Sequence, residues 1–444
     1  MADDDDVRRP VPPAARRGPA LLAPLSSALA TALTSPRSPT SPAFWRSPLR
    51  GPWFTSLLGV VLLVGITVVS VTGLVSYAAY NPNLTPVNDQ TPDKGLLGFY
   101  LFEWPTEPYW LYRLTQGVHV TLGLALIPVL LAKLWSVVPK LFALPPARSL
   151  GHALERISLL LLVGGVLFEF ATGVLNVQLD YLFPGSFYPL HFYGAWVFLA
   201  GFVVHLALRA PMAFRVLRSG ELRSRERELV SPDPRPSTLS RRGALGVVGA
   251  GSLLILVTSA GQSIGGSLRR TALLAPHGGR EPQQGPGGNF QVNKTAASVG
   301  VGPDETGDTW RLTVDGPGGR VVLSRADLLG MPQHTSALPI ACVEGWSTDD
   351  QHWTGVRLRD LAALVGYAHT PAPDVFVESI QRAGAFRAAG LTATQVRDER
   401  SLLALRVNGF DLTLDHGYPA RVIVPAAPGV MNTKWVTRMR FEKL

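Results

Sequence analysis

Cys342 is the only cysteine in this chain of 444 residues, so an intramolecular disulfide is impossible. A lone cysteine is often simply a small buried hydrophobic residue, and that interpretation stays open. Its neighbours favour a chemical role, because the apolar residues 337–343 predict a buried strand that places Cys342 next to the turn Gly345-Trp346-Ser347. A thiolate at a strand end is placed to bind a metal ion or to act as a nucleophile.

Two histidines on one hydrophobic segment have the spacing of a paired ligand site. His191 and His205 are fourteen residues apart, and fourteen helical steps of about 100° return to within about 40° of the same direction. At about 1.5 Å per residue the two rings lie about 21 Å apart, one near each membrane surface. Gly194 and Gly201 fall on the same face, where we expect them to make room for flat macrocycles.

Two further histidines, His119 and His152, lie in or beside other hydrophobic segments. His119 and His191 are expected at one depth in the membrane and His152 and His205 at another, so we pair them in this way. An imidazole in lipid needs a partner or a function. The spacing resembles the two-haem helix of b-type cytochromes, which implies one or two b haems. The alternative is that these histidines are satisfied between helices, and His152 alone could be interfacial, which would leave one haem.

The cysteine segment is recognisable as a motif. Cys342-Val343-Glu344-Gly345-Trp346-Ser347, with Trp353-Thr354-Gly355-Val356 after it, resembles the molybdenum-pterin domain of the sulfite oxidase family, in particular its periplasmic methionine sulfoxide reductase-like branch. A second block follows in the expected order: His416 to Arg421, Val424-Pro425, Gly429 and Lys434-Trp435-Val436. The resemblance covers about residues 289–444.

The resemblance implies a role for each matched residue. Cys342 would be the one protein sulfur ligand to molybdenum. The residues implied in binding the molybdopterin are Asn293, Lys294, His416, Arg421 and Lys434. Sulfite oxidases place arginines after the cysteine to hold an anionic substrate, whereas this chain has Glu344-Gly345-Trp346 there. Sulfite is therefore disfavoured. The sequence leaves the direction of oxygen transfer open, and the resemblance to the methionine sulfoxide reductase-like branch favours a reductase of a small S-oxide or N-oxide.

The composition indicates a membrane protein. Only 16% of residues are charged, and the net charge is +9. Five hydrophobic spans are predicted: 54–80, 114–132, 157–177, 190–208 and 245–261. The basic residues cluster beside these spans and form no stripe with interleaved aromatic residues, which argues against nucleic-acid binding. Trp104, Tyr109, Trp110 and Tyr112 are expected to form an interfacial aromatic belt before the second span.

Loop charges predict the orientation. The loops after spans two and four are rich in Lys and Arg, whereas the loop 81–112 is acidic. The positive-inside rule then places the N-terminus in the cytoplasm and the C-terminal domain outside, in the plasma membrane of a prokaryote. Ser240-Arg241-Arg242 before the fifth span resembles a twin-arginine export signal, the alternative being two stop-transfer arginines. Glu169 inside span three is either a proton-transfer group at a quinone site or a structural hydrogen-bonding residue.

The sequence therefore predicts an N-terminal all-α transmembrane bundle of five spans, followed by an α+β sulfite oxidase-like molybdopterin domain. The predicted segments are a disordered tail (1–50), a four-helix cytochrome b-like domain (51–210), a basic linker (211–242), a fifth span (243–262), a Gly/Pro linker (263–289) and the molybdopterin domain (290–444). The predicted function is oxygen-atom transfer at molybdenum on a small extracytoplasmic substrate, with electrons exchanged with the quinone pool through haem. The alternative is a membrane-anchored binding domain without molybdenum. A homo-oligomer is possible.

Overall fold

The computed structural model describes residues 35, 37–84, 102–142, 149–178, 185–219, 233–275, 290–292 and 294–444. Most of the predicted tail, part of the basic linker, most of the Gly/Pro linker and Asn293 therefore lie outside the described residues. Five helices are long and apolar enough to cross a membrane. They are α1 (Pro52–Ala78), α2 (Leu111–Leu141), α3 (Leu150–Gln178), α4 (Phe187–Ser219) and α5 (Arg241–Ser259).

Glycine brings α3 and α4 close together. A Cβ atom added to Gly201 would lie 2.8 Å from the backbone nitrogen of Leu162, and one added to Gly194 would lie 2.7 Å from Cε1 of Phe168. Small residues at a helix crossing let two backbones approach closely in lipid. The expectation that these two glycines make room for macrocycles is therefore wrong, because α3 fills the space beside them.

Basic side chains gather at one end of the bundle. Arg50 Nε donates to Trp135 O at 3.1 Å, Lys133 Nζ to Thr55 O at 2.6 Å and Arg156 Nη2 to Leu141 O at 2.9 Å. The C-terminal domain lies against the other end, where α1 ends and α2 begins. These three basic side chains and the C-terminal domain are thus at opposite ends of the membrane-length helices, whereas Arg113 and Arg269 lie at the same end as the C-terminal domain.

A short structured segment follows α5. Ser240 caps α5, its side chain accepting from Gly243 N at 3.0 Å, so Arg241 and Arg242 lie in the first turn. After α5 come α6 (Gly261–Ile264) and a 3-10 turn (Gly266–Thr271). The part of the predicted linker that the structure describes, residues 263–275, thus contains regular turns.

The C-terminal domain contains two five-stranded sheets. The strands are β1 (Leu312–Gly316), β2 (Gly319–Leu323), β3 (His334–Leu338), β4 (Gln351–Arg357), β5 (Val375–Ser379), β6 (Ala388–Leu391), β7 (Leu402–Val407), β8 (Phe410–Asp411), β9 (Arg421–Ile423) and β10 (Val436–Phe441). The first sheet has the order β2-β1-β10-β5-β6, with β1 and β10 parallel. The second has the order β3-β4-β7-β8, and β9 pairs with β7. Four short helices complete the α+β fold: α7 (Pro303–Thr306), α8 (Arg325–Gly330), α9 (Leu358–Ala362) and α10 (Ala393–Arg397).

The strand predicted before the cysteine is misplaced. The strand was predicted over residues 337–343, whereas the paired strand β3 ends at Leu338, five residues earlier. Pro339 follows, and proline has no backbone N–H to donate to a sheet ladder. Residues 339–343 therefore leave the ladder, and Cys342 lies in a turn of its own.

The two halves of the chain share a hydrophobic core. Tyr80, Trp104 and Tyr112 belong to the same buried cluster as the interior of the C-terminal domain. Trp104 Nε1 donates to Ala426 O at 2.8 Å. Of the predicted aromatic belt, Trp104 and Tyr112 are instead buried (0% and 1% exposed), whereas Trp110 is 43% exposed. The belt prediction is wrong for the two buried residues, because the C-terminal domain covers them.

Candidate active site

A tight turn fixes the position of Cys342. Its backbone nitrogen donates to Trp346 O at 2.9 Å, and Gly345 N donates back to Cys342 O at 3.0 Å. Gly345 has φ of +85°, a conformation that glycine adopts without the steric cost of a Cβ atom. The cysteine is 8% exposed. The turn therefore holds a single buried thiol in a defined place.

Side chains that precede the C-terminal domain in the sequence bind the cysteine turn. Three of its carbonyl groups each accept a hydrogen bond from outside the C-terminal domain. The pairs are Gln116 Nε2 to Val343 O at 2.6 Å, Arg269 Nη2 to Ser347 O at 2.6 Å, and Ser263 Oγ to Gly345 O. A Cβ atom on Gly345 would lie 2.6 Å from Cβ of Val120 on α2. The turn thus rests directly on a membrane-length helix.

Two buried phenols lie beside the thiol. The hydroxyls of Tyr80 and Tyr112 are 2.8 Å apart, and both groups interact electrostatically with Cys342. Tyr80 follows α1 and Tyr112 is at the start of α2. The sequence does not predict this pair, because nothing in the local pattern around either tyrosine indicates a position near a cysteine more than 200 residues away.

The second sequence block forms a buried cationic cluster. His416 Nε2 lies 3.1 Å from Phe290 O and its Nδ1 lies 2.7 Å from Thr413 Oγ1. Arg421 donates to His416 O at 3.0 Å and to Asn432 O at 3.2 Å. Lys434 Nζ donates to Asp415 O at 2.8 Å and to the carbonyl of Lys294. These hydrogen bonds of the two cations are to backbone carbonyls, which carry no full charge to balance them.

Burial lowers the pKa values of the three basic side chains in this cluster. It lowers the pKa of Arg421 to about 9. Burial, followed by the nearby charges of Arg421 and Lys294, lowers the pKa of Lys434 to about 6. Burial and then the charge of Arg421 lower the pKa of His416 to about 4. An anion placed among these groups would favour their charged forms.

Unpaired polar atoms surround the same cluster. Around this cluster, four buried side chains have atoms without a hydrogen-bond partner among the described residues: Arg421 Nε, Asn432 Nδ2, Thr433 Oγ1 and both polar atoms of Gln291. Such atoms are costly unless a ligand or water satisfies them. Donors and acceptors around buried cations fit a polar heterocycle that carries a phosphate, as molybdopterin does.

The fold brings the cysteine and the cluster together. Gly429 N donates to Ala341 O at 2.6 Å, which joins the second block to the cysteine turn. The ring of Phe290 lies 4.0 Å from that of His416 and 5.6 Å from that of Trp353, and Phe290 and Trp353 pack in the same cluster as Cys342. Lys294 contributes a backbone carbonyl, while its own Nζ donates to Ala385 O.

A histidine pair lies in the bundle below the cysteine turn. The rings of His119 and His191 are 6.2 Å apart and nearly perpendicular. His119 Nδ1 lies 2.8 Å from Val69 O, and His191 Nδ1 lies 2.9 Å from Thr172 Oγ1 and 3.2 Å from Glu169 Oε2. Hydrogen-bonded Nδ1 atoms orient both rings with Nε2 available for a metal. Two metal–nitrogen bonds of about 2 Å would put the ring centres about 6 Å apart, so this pair fits one iron between them.

An internal cavity of about 210 Å³ contains the histidine pair. Its wall includes Gly73, Gly123 and Gly173 on three helices, and the His119 ring packs against Gly73, where an added Cβ atom would lie 2.8 Å from its Cε1. The cavity extends to Tyr80 and to Val343, the residue after the cysteine. These three glycines, and not those predicted from the sequence, line the space beside the histidines.

The second predicted histidine pair has different surroundings. His205 is acted on by the charges of Lys133 and Lys140 at the basic end of the bundle. His152 is in the first turn of α3, where its backbone nitrogen donates to Ser149 Oγ at 3.2 Å. The structure brings His119 and His191 together, and the pairing of His152 with His205 stays a prediction.

Comparison with known proteins identifies the C-terminal region. Residues 299–443 match the oxidoreductase molybdopterin binding domain family. Mitochondrial sulfite oxidase of Rattus norvegicus is 32% identical over 165 residues, covering 32% of this chain and 30% of the rat protein. The uncharacterized oxidoreductase YuiH of Bacillus subtilis (strain 168) is 33% identical over 123 residues, covering 28% of this chain and 60% of that protein.

The chain spans less than two thirds of the length of these relatives. A crystal structure of the sulfane dehydrogenase SoxCD from Paracoccus pantotrophus matches 31% of this chain and 39% of that one, with 26% identity and a TM-score of 0.28. The C-terminal region is a molybdopterin-binding oxidoreductase domain homologous to sulfite oxidase and YuiH. It is preceded by an all-helical region with five helices of membrane length.

Proposed function

We propose that this protein is a membrane-bound molybdenum-pterin oxidoreductase that exchanges electrons with the quinone pool through a b haem. Its substrate is a small extracytoplasmic molecule that gains or loses one oxygen atom, and the favoured direction is reduction of an S-oxide or N-oxide. One observation carries the proposal. Gln116 binds the carbonyl next to Cys342 and lies one helical turn before His119 on the same helix.

The cofactors would supply the redox chemistry, with molybdenum transferring two electrons and an oxygen atom, and haem iron transferring single electrons. Reduction of an S-oxide consumes two electrons and two protons and yields a sulfide and water. The chain's own residues would bind and orient the cofactors. Cys342 offers the thiolate ligand, and Arg421 and Lys434 offer positive charge to the pterin phosphate.

The charge next to the cysteine supports a neutral substrate. Glu344 is two residues after Cys342, and its Oε2 accepts a hydrogen bond from Trp346 Nε1 at 3.0 Å. A carboxylate there repels an anion such as sulfite, whereas a neutral oxide meets no such repulsion.

Molybdenum content of the full chain tests this function against a binding domain that keeps only the fold. Protein from cells able to make molybdopterin is expected to contain about one molybdenum and one haem per chain, and its reduced haem is expected to be reoxidised by an S-oxide or N-oxide. Absence of molybdenum from such protein would favour the binding domain.

Gln116→Leu is expected to slow electron transfer between the haem and molybdenum about tenfold, equivalent to about 1.4 kcal/mol in the barrier. The change removes the hydrogen bond to Val343 O and loosens the contact between α2 and the cysteine turn. Stopped-flow reoxidation of the reduced haem by substrate measures the rate. Leu131→Ala is a matched control, since Leu131 is an exposed residue of the same helix. Equal rates in Gln116→Leu and wild type would contradict the role of this contact.

The same proposal places the N-terminus in the cytoplasm and the C-terminal domain outside. The basic end of the bundle lies opposite the C-terminal domain, which supports this orientation under the positive-inside rule. It also supports the proposal that Arg241 and Arg242 act as a twin-arginine signal, because a domain loaded with cofactor must cross the membrane folded.

Replacement of Arg241 and Arg242 by lysine is expected to keep α1 to α4 inserted and leave the C-terminal domain in the cytoplasm. The replacement keeps the positive charge, so a topology signal would survive it. Protease added outside spheroplasts measures export, with Arg37→Lys as a control. A fully exported domain in the double variant would show that the pair acts only through charge.

A further inference from the structure

A second cavity, of about 1020 Å³, lies on the other side of α2 from the histidine pair. Its floor is formed by the outer half of α2, and its other walls by the end of α5 and residues 260–268. Three large apolar side chains on its rim, Leu114, Leu256 and Ile264, are exposed by 49%, 39% and 55%. On helices that cross a membrane, such a rim opens towards lipid.

The cavity has one unpartnered hydroxyl in its wall. Thr121 is 8% exposed, and its Oγ1 has no hydrogen-bond partner among the described residues. Threonines in helices commonly donate back to a carbonyl one turn earlier. Thr72, Thr172 and Thr258 do so in this protein, at 2.5 to 2.8 Å. Thr121 alone of these four makes no such bond, so its buried hydroxyl retains an unused donor beside the cavity.

The mouth of the cavity is polar and contains two carboxylates. Asp349 accepts from Gly266 N at 3.0 Å, and Asp350 accepts from the Tyr109 hydroxyl at 3.0 Å. Arg113 also lines the mouth, but its guanidinium donates to Ser263 O at 2.9 Å and to Ile264 O. Asp349 also lies 3.7 Å from Arg269, so two guanidiniums balance the two carboxylates and the mouth has no excess of positive charge for the headgroup of an anionic phospholipid.

The cavity and the histidine pair are separated by one helix. Thr121 is two residues after His119 on α2, so the two side chains are at similar depth on different faces. A helix with its side chains is about 10–12 Å across. A redox ligand at Thr121 would therefore lie within about one helix diameter of an iron bound at His119.

We propose that this cavity binds an isoprenoid quinol, with one ring oxygen hydrogen-bonded to Thr121 and the tail leaving between Leu114 and Leu256 into lipid. The inference rests on the proposed function, since it names the site at which the quinone pool meets the haem. Oxidation of the quinol releases two electrons, one at a time, to the ferric haem. It also releases two protons, which leave past Asp349 and Asp350 to water, and the product is the quinone.

Filling the cavity tests the proposal. Val118 lines it, and Val118→Trp is expected to reduce the rate of haem reduction by a decyl-substituted quinol at least tenfold, while the haem content is unchanged. Quinone extracted from the purified full chain, measured per haem, is expected to fall in parallel. Leu131→Trp on the exposed face of α2 is the matched control and is expected to keep both values.

Removal of one hydroxyl is a milder test. Thr121→Val keeps the shape of the side chain and is expected to raise the KM for the quinol several-fold with haem content unchanged, whereas Thr72→Val is expected to change nothing. Unchanged quinol kinetics and quinone content in both Val118→Trp and Thr121→Val would overturn the site, as would recovery of phospholipid alone from this cavity. A wild-type haem that no quinol reduces would instead contradict the proposed function itself.

Discussion

Cys342→Ser is expected to lower turnover of the oxide substrate at least about a thousandfold, or about 4 kcal/mol in transition-state stabilisation, while the haem spectrum is unchanged. A serine hydroxyl stays protonated near neutral pH and is a hard oxygen donor, whereas the thiolate is the soft ligand that the site offers. The replacement is smaller by less than one methyl group at a position held by two backbone hydrogen bonds, so the turn is expected to persist.

The measurement is turnover with a chemically reduced donor, together with molybdenum and haem per chain. Ser336→Ala, a buried change on β3 in the same domain, is a matched control that is expected to keep full turnover. Wild-type turnover in Cys342→Ser would show that this cysteine is not the metal ligand. Loss of haem in the same variant would show that the substitution disturbs the bundle, in which case the loss of turnover would not report on ligation.

Several elements of the C-terminal domain follow from local patterns. The hairpin β1–β2 turns at Pro317-Gly318, the side chain of Ser324 caps α8, and β5, β7, β9 and β10 are short runs rich in apolar residues. Each of these depends on turn residues, caps or alternation within about ten neighbouring residues. The spans of the N-terminal half were predictable for the same reason, because length and apolar content are local properties.

Contacts between the two halves were not predictable from such patterns. Gln116 is an ordinary polar residue near the end of a span until the fold brings it to Val343, 227 positions away. A polar side chain inside a hydrophobic span is a reason to expect a functional contact, and that was the one signal available. The burial of Trp104 and the packing role of Gly194 likewise depend on which element lies opposite, and periodicity along a single chain does not contain that information.

His191→Ala is expected to reduce the haem content from about one per chain to none, and to abolish reduction of molybdenum by quinol. The structure pairs His191 with His119 and holds its Nδ1 through Thr172 and Glu169, so the expected iron depends on this ring. His205→Ala is the matched control, because His205 lies on the same helix but near Lys133 and Lys140. It is expected to keep the haem.

Haem per chain and quinol-driven reduction in the two variants decide between one haem and two. Two haems in the wild type, falling to one in each variant, would restore the pairing of His152 with His205 and a relay across the whole bundle. One haem, lost in His191→Ala and kept in His205→Ala, leaves a single step between the quinol and molybdenum. Electrons would then enter at the same outer end of the bundle at which Gln116 contacts the cysteine turn. Full haem content in His191→Ala would contradict the assignment of this pair.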